Sequence, residues 1–155
     1  MITKEDAKKV VSEELESLRQ RIIANHLKAG QKASGRTIAS LRVDADEDGG
    51  TLYGRKAFGT LETGRRGGKV PKGFYRIIYQ WMQDKGIQVE RPKSFSYLVA
   101  RKIAREGTKL YRQGGRDDIY SNEIPKTIES IGDKVRGLLM MEVEHINLNS
   151  KNENG

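Results

Sequence analysis

Metal chemistry is the first possibility that the residue types raise, through His26, His145 and the acidic run Asp44-x-Asp46-x-Asp48-Gly49. The two histidines fall in different predicted helices, neither has a second histidine four residues on, and the chain has no cysteine. A metal site there needs carboxylates recruited from elsewhere, so both are read as exposed histidines at helix ends. The acidic run matches the opening of a calcium-binding loop, but such a loop needs a bidentate Glu at its twelfth position, which here is Arg55. With strand-like flanks in place of helices, DADEDGG reads as the tip of a β-hairpin.

Phosphate chemistry is the next candidate. The stretch Gly64–Gly73 reads GRRGGKVPKG, but a phosphate-cradling loop needs a Gly five residues before its Gly-Lys pair and a hydroxyl residue after it. Around Gly68-Lys69 those positions hold Thr63 and Val70. Asp117 and Asp118 with Lys109 form a set that could organise magnesium, yet a chain this rich in charge supplies such sets by chance. No catalytic residue, metal ligand or cofactor site is assigned, and the expectation is a protein that is not an enzyme. The lack of cysteine excludes disulfide scaffolds, thiol nucleophiles and cysteine zinc fingers.

Charge is the stronger signal. The 155 residues carry 29 Lys and Arg against 21 Asp and Glu, a formal +8. That sum hides a segregation: residues 1–53 are neutral, residues 54–116 carry +12 and residues 117–155 carry −4. A basic block and an acidic end can attract a polyanion, another protein or a second copy arranged head to tail. Nucleic-acid binding independent of sequence is the alternative reading, through Arg65, Arg66, Lys69, Lys72, Arg101, Lys102, Arg105 and Arg112. Against it stand an aromatic content of 6% and the lack of a recognisable stacking platform. No apolar run approaches the roughly 20 residues of a membrane span, and MITKEDAKK lacks the apolar stretch of a signal peptide, so the expectation is a protein made and used in the cytoplasm, or carried out of it inside a larger assembly.

The elements that must position these groups are legible from periodicity. Thr3 is placed to cap a helix running to Lys28, with an apolar seam at Ala7, Val11, Leu15, Leu18 and Ile22. Alternation from Ser34 to Thr63 predicts a hairpin that includes Leu41, Val43, Ala45, Leu52, Tyr53, Phe58 and Leu61. Phe74, Ile77, Ile78, Trp81 and Met82 recur at helical spacing, with Trp81 as the expected core anchor and Gly86 as the stop. Ser94 is expected to cap the next helix, with Phe95, Leu98, Val99 and Ile103 inward. The loop from Thr108 to Asn122 reads as mobile or partner-dependent. Pro125 opens a long helix whose seam runs through Ile124, Ile128, Ile131, Val135, Leu138 and Leu139, interrupted by Gly132 and Gly137. The expected fold is α+β, a small antiparallel β-sheet packed against helices, with long N- and C-terminal helices. One domain is expected over 1–147, comprising a helix within 1–30, a core over 34–108 and a helix over 121–147, followed by a flexible tail at 148–155.

Five segments carry a family resemblance. They are Ser34-Gly35-Arg36-Thr37-Ile38-Ala39-Ser40-Leu41-Arg42-Val43, then Phe58-Gly59-Thr60-Leu61-Glu62-Thr63-Gly64-Arg65-Arg66 with Lys69-Val70-Pro71, then Trp81 to Ile87 and Leu98 to Thr108. In this order, over roughly residues 34–108, the chain resembles the tail-completion or head–tail joining (neck connector) proteins of tailed bacteriophages. The long helical termini and the loop Tyr111–Tyr120 depart from that pattern.

The resemblance implies a structural virion protein, assembled in the host cytoplasm, forming part of a ring in the head–tail connector, neck or tail-completion assembly. The implied partners are copies of itself, neighbouring portal, neck or tail proteins, and nearby packaged DNA, with no membrane. The subunit contacts expected from it are Leu61, Glu62, Gly64, Arg65, Arg66, Lys69 and Lys72, with Glu62 pairing with Arg65 or a neighbouring Arg.

Overall fold

Thr3 starts the first helix through a capping box: its hydroxyl accepts from the Asp6 N–H at 3.2 Å, and the Asp6 carboxylate accepts from the Thr3 N–H at 2.8 Å. The computed structural model describes residues 1–153, with side chains through residue 144. The helix so started, α1, spans Lys4–Lys28, the limits that the capping signals predict. Leu18 and Ile22 are its buried apolar residues, and Glu14 and His26 are buried on the same face.

A short helix, α2 (Arg36–Ser40), leads into β1 (Arg42–Ala45) and β2 (Gly50–Tyr53). The strands pair antiparallel in the register Arg42 with Tyr53 and Ala45 with Gly50. Asp46 builds the turn, its carboxylate accepting from the N–H groups of Asp48 at 2.9 Å and Gly49 at 3.0 Å, so the acidic run is a hairpin tip. Strand structure is narrower than the alternation predicts. Residues 36–40 are helical, Lys56–Gly59 form a 3-10 turn and Thr60–Thr63 form helix α3, so Phe58 and Leu61 reach the core from helical turns.

Helices α4 (Phe74–Lys85) and α5 (Pro92–Glu106) pack against each other and make a separate cluster of Phe74, Ile78, Met82 and Ala100. Two sequence expectations are corrected here. Trp81 is not the core anchor: it is 42% exposed and Ile77 is 52% exposed, whereas Met82 is 1% exposed. On α5 the inward face is Ser96, Val99, Ala100 and Ile103, and Phe95 and Leu98 face water. One partner helix covers only part of a wide apolar arc, and the periodicity does not say which part.

After α6 (Lys109–Arg112) the chain turns into α7 (Glu123–Glu153), which runs antiparallel to α1. Arg21 donates to Glu123 at 2.8 Å and to the Thr127 hydroxyl at 2.6 Å, Lys134 pairs with Glu14, and the Ile2 N–H donates to Glu142 at 2.8 Å. Gly132 and Gly137 do not interrupt α7. The helix also continues past residue 148, where the sequence expectation places a flexible tail; once nucleated, a helix gains a hydrogen bond for each added residue. Residues 154 and 155 lie outside the described residues. The first core, Leu18, Ile22, Leu41 and Ile119, sits between α1, the hairpin and the segment before α7. The architecture is α+β as expected, with a two-stranded sheet and long terminal helices.

Candidate functional site

The basic loop that the sequence singles out is stitched to the end of α5. Arg65 N–H donates to the Thr108 hydroxyl at 3.0 Å, Thr108 N–H returns to the Arg65 carbonyl at 2.9 Å, and Gly68 N–H donates to the Ala104 carbonyl at 2.6 Å. Gly64 makes this approach possible: its φ is +70°, and a Cβ there would stand 2.4 Å from the Tyr111 backbone nitrogen. The loop therefore presents Arg66, Lys69 and Lys72 to water from a fixed backbone, and Arg65 lies over the Phe74 ring at 4.8 Å from its centroid.

Glu62 is a correction. Among the described residues it has no arginine within 4.0 Å, and it is buried against the turn preceding α7. Its Oε1 accepts from the N–H groups of Ile119 (3.1 Å), Tyr120 (2.6 Å) and Ser121 (2.8 Å), and its Oε2 accepts from the Ser121 hydroxyl. Burial alone raises its pKa, but the four donors from Ser121, Tyr120 and Ile119 outweigh it and hold the carboxyl below its ordinary value. Arg116 N–H donates to the Glu62 carbonyl at 2.8 Å, and the Tyr120 hydroxyl donates to Gly59 at 2.9 Å. The loop from Thr108 to Asn122, expected to be mobile or partner-dependent, instead holds helix α6 and a segment, 113–122, wrapped around an internal anion and anchored by Ile119 in the core.

Leu61 also turns inward. It packs on the first core, and its carbonyl accepts from Gln31 at 2.7 Å. Of the seven expected contact residues, Arg66, Lys69 and Lys72 are exposed, Gly64 and Arg65 are half-buried, and Leu61 and Glu62 are committed to the chain's own interior. His26 is likewise buried, not exposed, with Nδ1 3.3 Å from Gln31 Oε1. It borders an open cavity of about 210 Å³ with Arg36, Arg55 and Trp81. The His145 side chain lies outside the described residues, and among those described no three His, Asp or Glu side chains gather as a metal site.

A larger feature was not legible as a site. Between α4, α5 and α6 lies a groove of about 650 Å³ whose apolar lining is Phe74, Ile77, Ile78, Trp81, Val99, Ile103 and Leu110. Its rim carries Arg65, Lys102, Lys109 and Arg112, and no carboxylate lines it. Arg112 is paired with Glu106 at 3.6 Å; among the described residues neither Lys102 nor Lys109 has a carboxylate within 4.0 Å. The missed signal is the width of the α4 stripe, more apolar surface than a single helix can cover. Such a groove suits an apolar helix bearing acids along its edge.

Two other exposed surfaces stand out. Tyr75 and Tyr97 meet edge to face with centroids 6.0 Å apart, with the guanidinium groups of Arg76 and Arg101 at 5.5 and 5.9 Å from their rings. On α7, Leu139, Met140, Met141 and Val143 are all exposed, although Ile2, just before α1, reaches the helix at Glu142. No helix among the described residues is long and apolar enough to cross a membrane. A search of protein families, curated proteins and solved structures finds no match for this chain.

Proposed function

We propose that this chain is a non-enzymatic structural subunit of a tailed-bacteriophage virion, forming part of a ring in the head–tail connector, neck or tail-completion assembly. The observation that carries this reading is the apolar groove rimmed by cations, in a chain whose far end is an acidic helix with exposed apolar side chains. Contiguous apolar surface of this kind is costly to leave in water and marks an interaction face. Two unlike and complementary faces on one subunit are what a head-to-tail contact needs, and head-to-tail contacts close into rings when the rotation permits. The order of motifs over residues 34–108 supports the same assignment. Its partners are copies of itself and the adjoining portal, neck or tail proteins, and its place is the virion, built in the host cytoplasm.

Imaging of assembled particles tests this. The expected result is density for the chain in a ring at the neck or tail; its presence elsewhere, or absence from the particle, overturns the reading. The competing function is nucleic-acid binding independent of sequence, which the Tyr75–Tyr97 pair with Arg76 and Arg101 favours, since aromatic faces beside guanidinium groups stack bases. A DNA fragment titrated at low and moderate salt separates the two. Tight binding with a steep salt slope, with no association with virion proteins, is the outcome expected of a nucleic-acid binder.

A further inference from the structure

We infer that the distal part of α7 of one copy seats in the groove between α4, α5 and α6 of the next copy. This rests on the ring reading and names the contact that builds the ring.

The argument begins with what α7 leaves uncovered. Its first half lies along α1 through Glu123, Thr127 and Lys134, and among the described residues the last hydrogen bond to that end of the chain is from Ile2 to Glu142. Because α1 begins at Lys4, the eleven residues from Val143 to Glu153 continue beyond it for about 16 Å at roughly 1.5 Å per residue. Leu139 and Val143 stand one turn apart, with Met140 beside them, and all three are exposed. From Leu139 to Glu153 the sequence holds Glu142, Glu144 and Glu153 against a single Lys151. An apolar face with acids beside it is what the groove, apolar within and cationic at its rim, would take. Methionine adapts its shape readily, which suits a groove that is open before it is filled.

Geometry makes the contact one between copies. The groove belongs to the end of the molecule where α1 finishes: Lys85 at the end of α4 donates to the Gly30 carbonyl, and Trp81 borders both the groove and the cavity beside His26. The distal part of α7 leaves at the start of α1, about 37 Å away along a helix of 25 residues. A continuous helix held along α1 does not return across that distance to its own groove. The arm of each copy meets the groove of a neighbour, which as a head-to-tail contact is heterologous and closes into a ring when the rotation permits.

The absence of cysteine and the single tryptophan make the test direct. Full-length chains bearing Ile77→Cys are mixed with full-length chains bearing Met140→Cys and oxidised. Both positions are exposed, so neither change disturbs a core. The expected product is a cross-linked dimer in the mixture and little in either variant alone. No cross-link in the mixture, or equal dimer from one variant alone, overturns the inference. A second readout needs no cysteine. Emission of Trp81 should shift to shorter wavelength and lose accessibility to iodide as the wild-type concentration rises. Val143→Asp should raise the concentration needed by about tenfold or more, the consequence of putting a charge into an apolar groove. Trp81 emission that does not change with concentration also overturns the inference. Failure here together with a ring in imaged particles means that another contact builds the ring; failure together with no ring removes the ring reading itself.

Discussion

Ser121 holds Glu62 twice, donating its backbone N–H to Oε1 at 2.8 Å and its hydroxyl to Oε2. With Ile119 and Tyr120 completing the set, a buried carboxylate becomes the node that fixes the connection into α7. Glu62→Gln keeps the shape and removes the charge, weakening charge-assisted bonds and setting an amide N–H against a donor. The expected loss is about 1–3 kcal/mol of stability, read by thermal or urea denaturation. Proteolysis within residues 113–122 should accelerate in the variant while the hairpin is unaffected.

The same carboxylate sets an acid limit. Glu62 is held below its ordinary value of 4.5 because its four hydrogen bonds outweigh the effect of burial. Glu14 is lowered chiefly by Lys134, and Glu123 is lowered by Arg21 and Asn25 against the opposing effect of burial. A folded pKa below the unfolded one means stability that is complete above the unfolded value and lost as pH falls through the folded one. Denaturation midpoints should therefore be insensitive to these groups at pH 6–8 and should drop below about pH 4.5. In Glu62→Gln the drop should be shallower, because one linked proton is gone.

Legibility followed locality. Thr3, the Asp46 turn and Gly86 act on neighbours within a few residues, so both limits of α1, the hairpin tip and the end of α4 could be read from the sequence. Glu62 could not, since its donors lie 57 to 59 residues away and nothing local distinguishes it from a surface acid. The exposed groups were more legible than the groove. Arg66, Lys69 and Lys72 are exposed as expected, but the groove depends on where α5 crosses α4, which no periodicity records.

Gly137 offers a clean gain. It lies inside α7, and a Cβ there meets nothing within 4 Å. Gly137→Ala should stabilise the chain by about 0.5–1 kcal/mol through the unfolded state and helix propensity. Gly115→Ala is the opposite case, with φ at +82° and a Cβ that would stand 2.7 Å from the Glu62 carbonyl oxygen. It should be destabilising by more than the gain at Gly137, and paired melting curves check both.

Arg66, Lys69 and Lys72 test the basic loop as a contact surface. All three are exposed on a backbone held by Thr108 and Ala104, so reversal of their charge should leave stability within about 0.5 kcal/mol per site. On the proposed virion role, incorporation into particles should fall sharply in the triple Glu variant. Normal incorporation means that these cations are a solvated surface.

Trp81 and Met82 are adjacent in sequence and opposite in role. Met82 is enclosed where α4 packs on α5, so Met82→Ala leaves a cavity and should cost about 2–5 kcal/mol. Trp81 stands on the groove wall with 42% of its surface in water, and much of what it touches is the open groove itself. Trp81→Ala should therefore cost the isolated chain about 1–2 kcal/mol, less than the roughly 3–5 kcal/mol of a fully buried tryptophan. Its larger effect should fall on association between copies, since a large aromatic side chain in an apolar groove is the kind of residue that carries binding energy. Urea denaturation of both variants, with sedimentation over a range of concentrations, separates the effects: Met82→Ala should chiefly lower stability, and Trp81→Ala should chiefly weaken assembly.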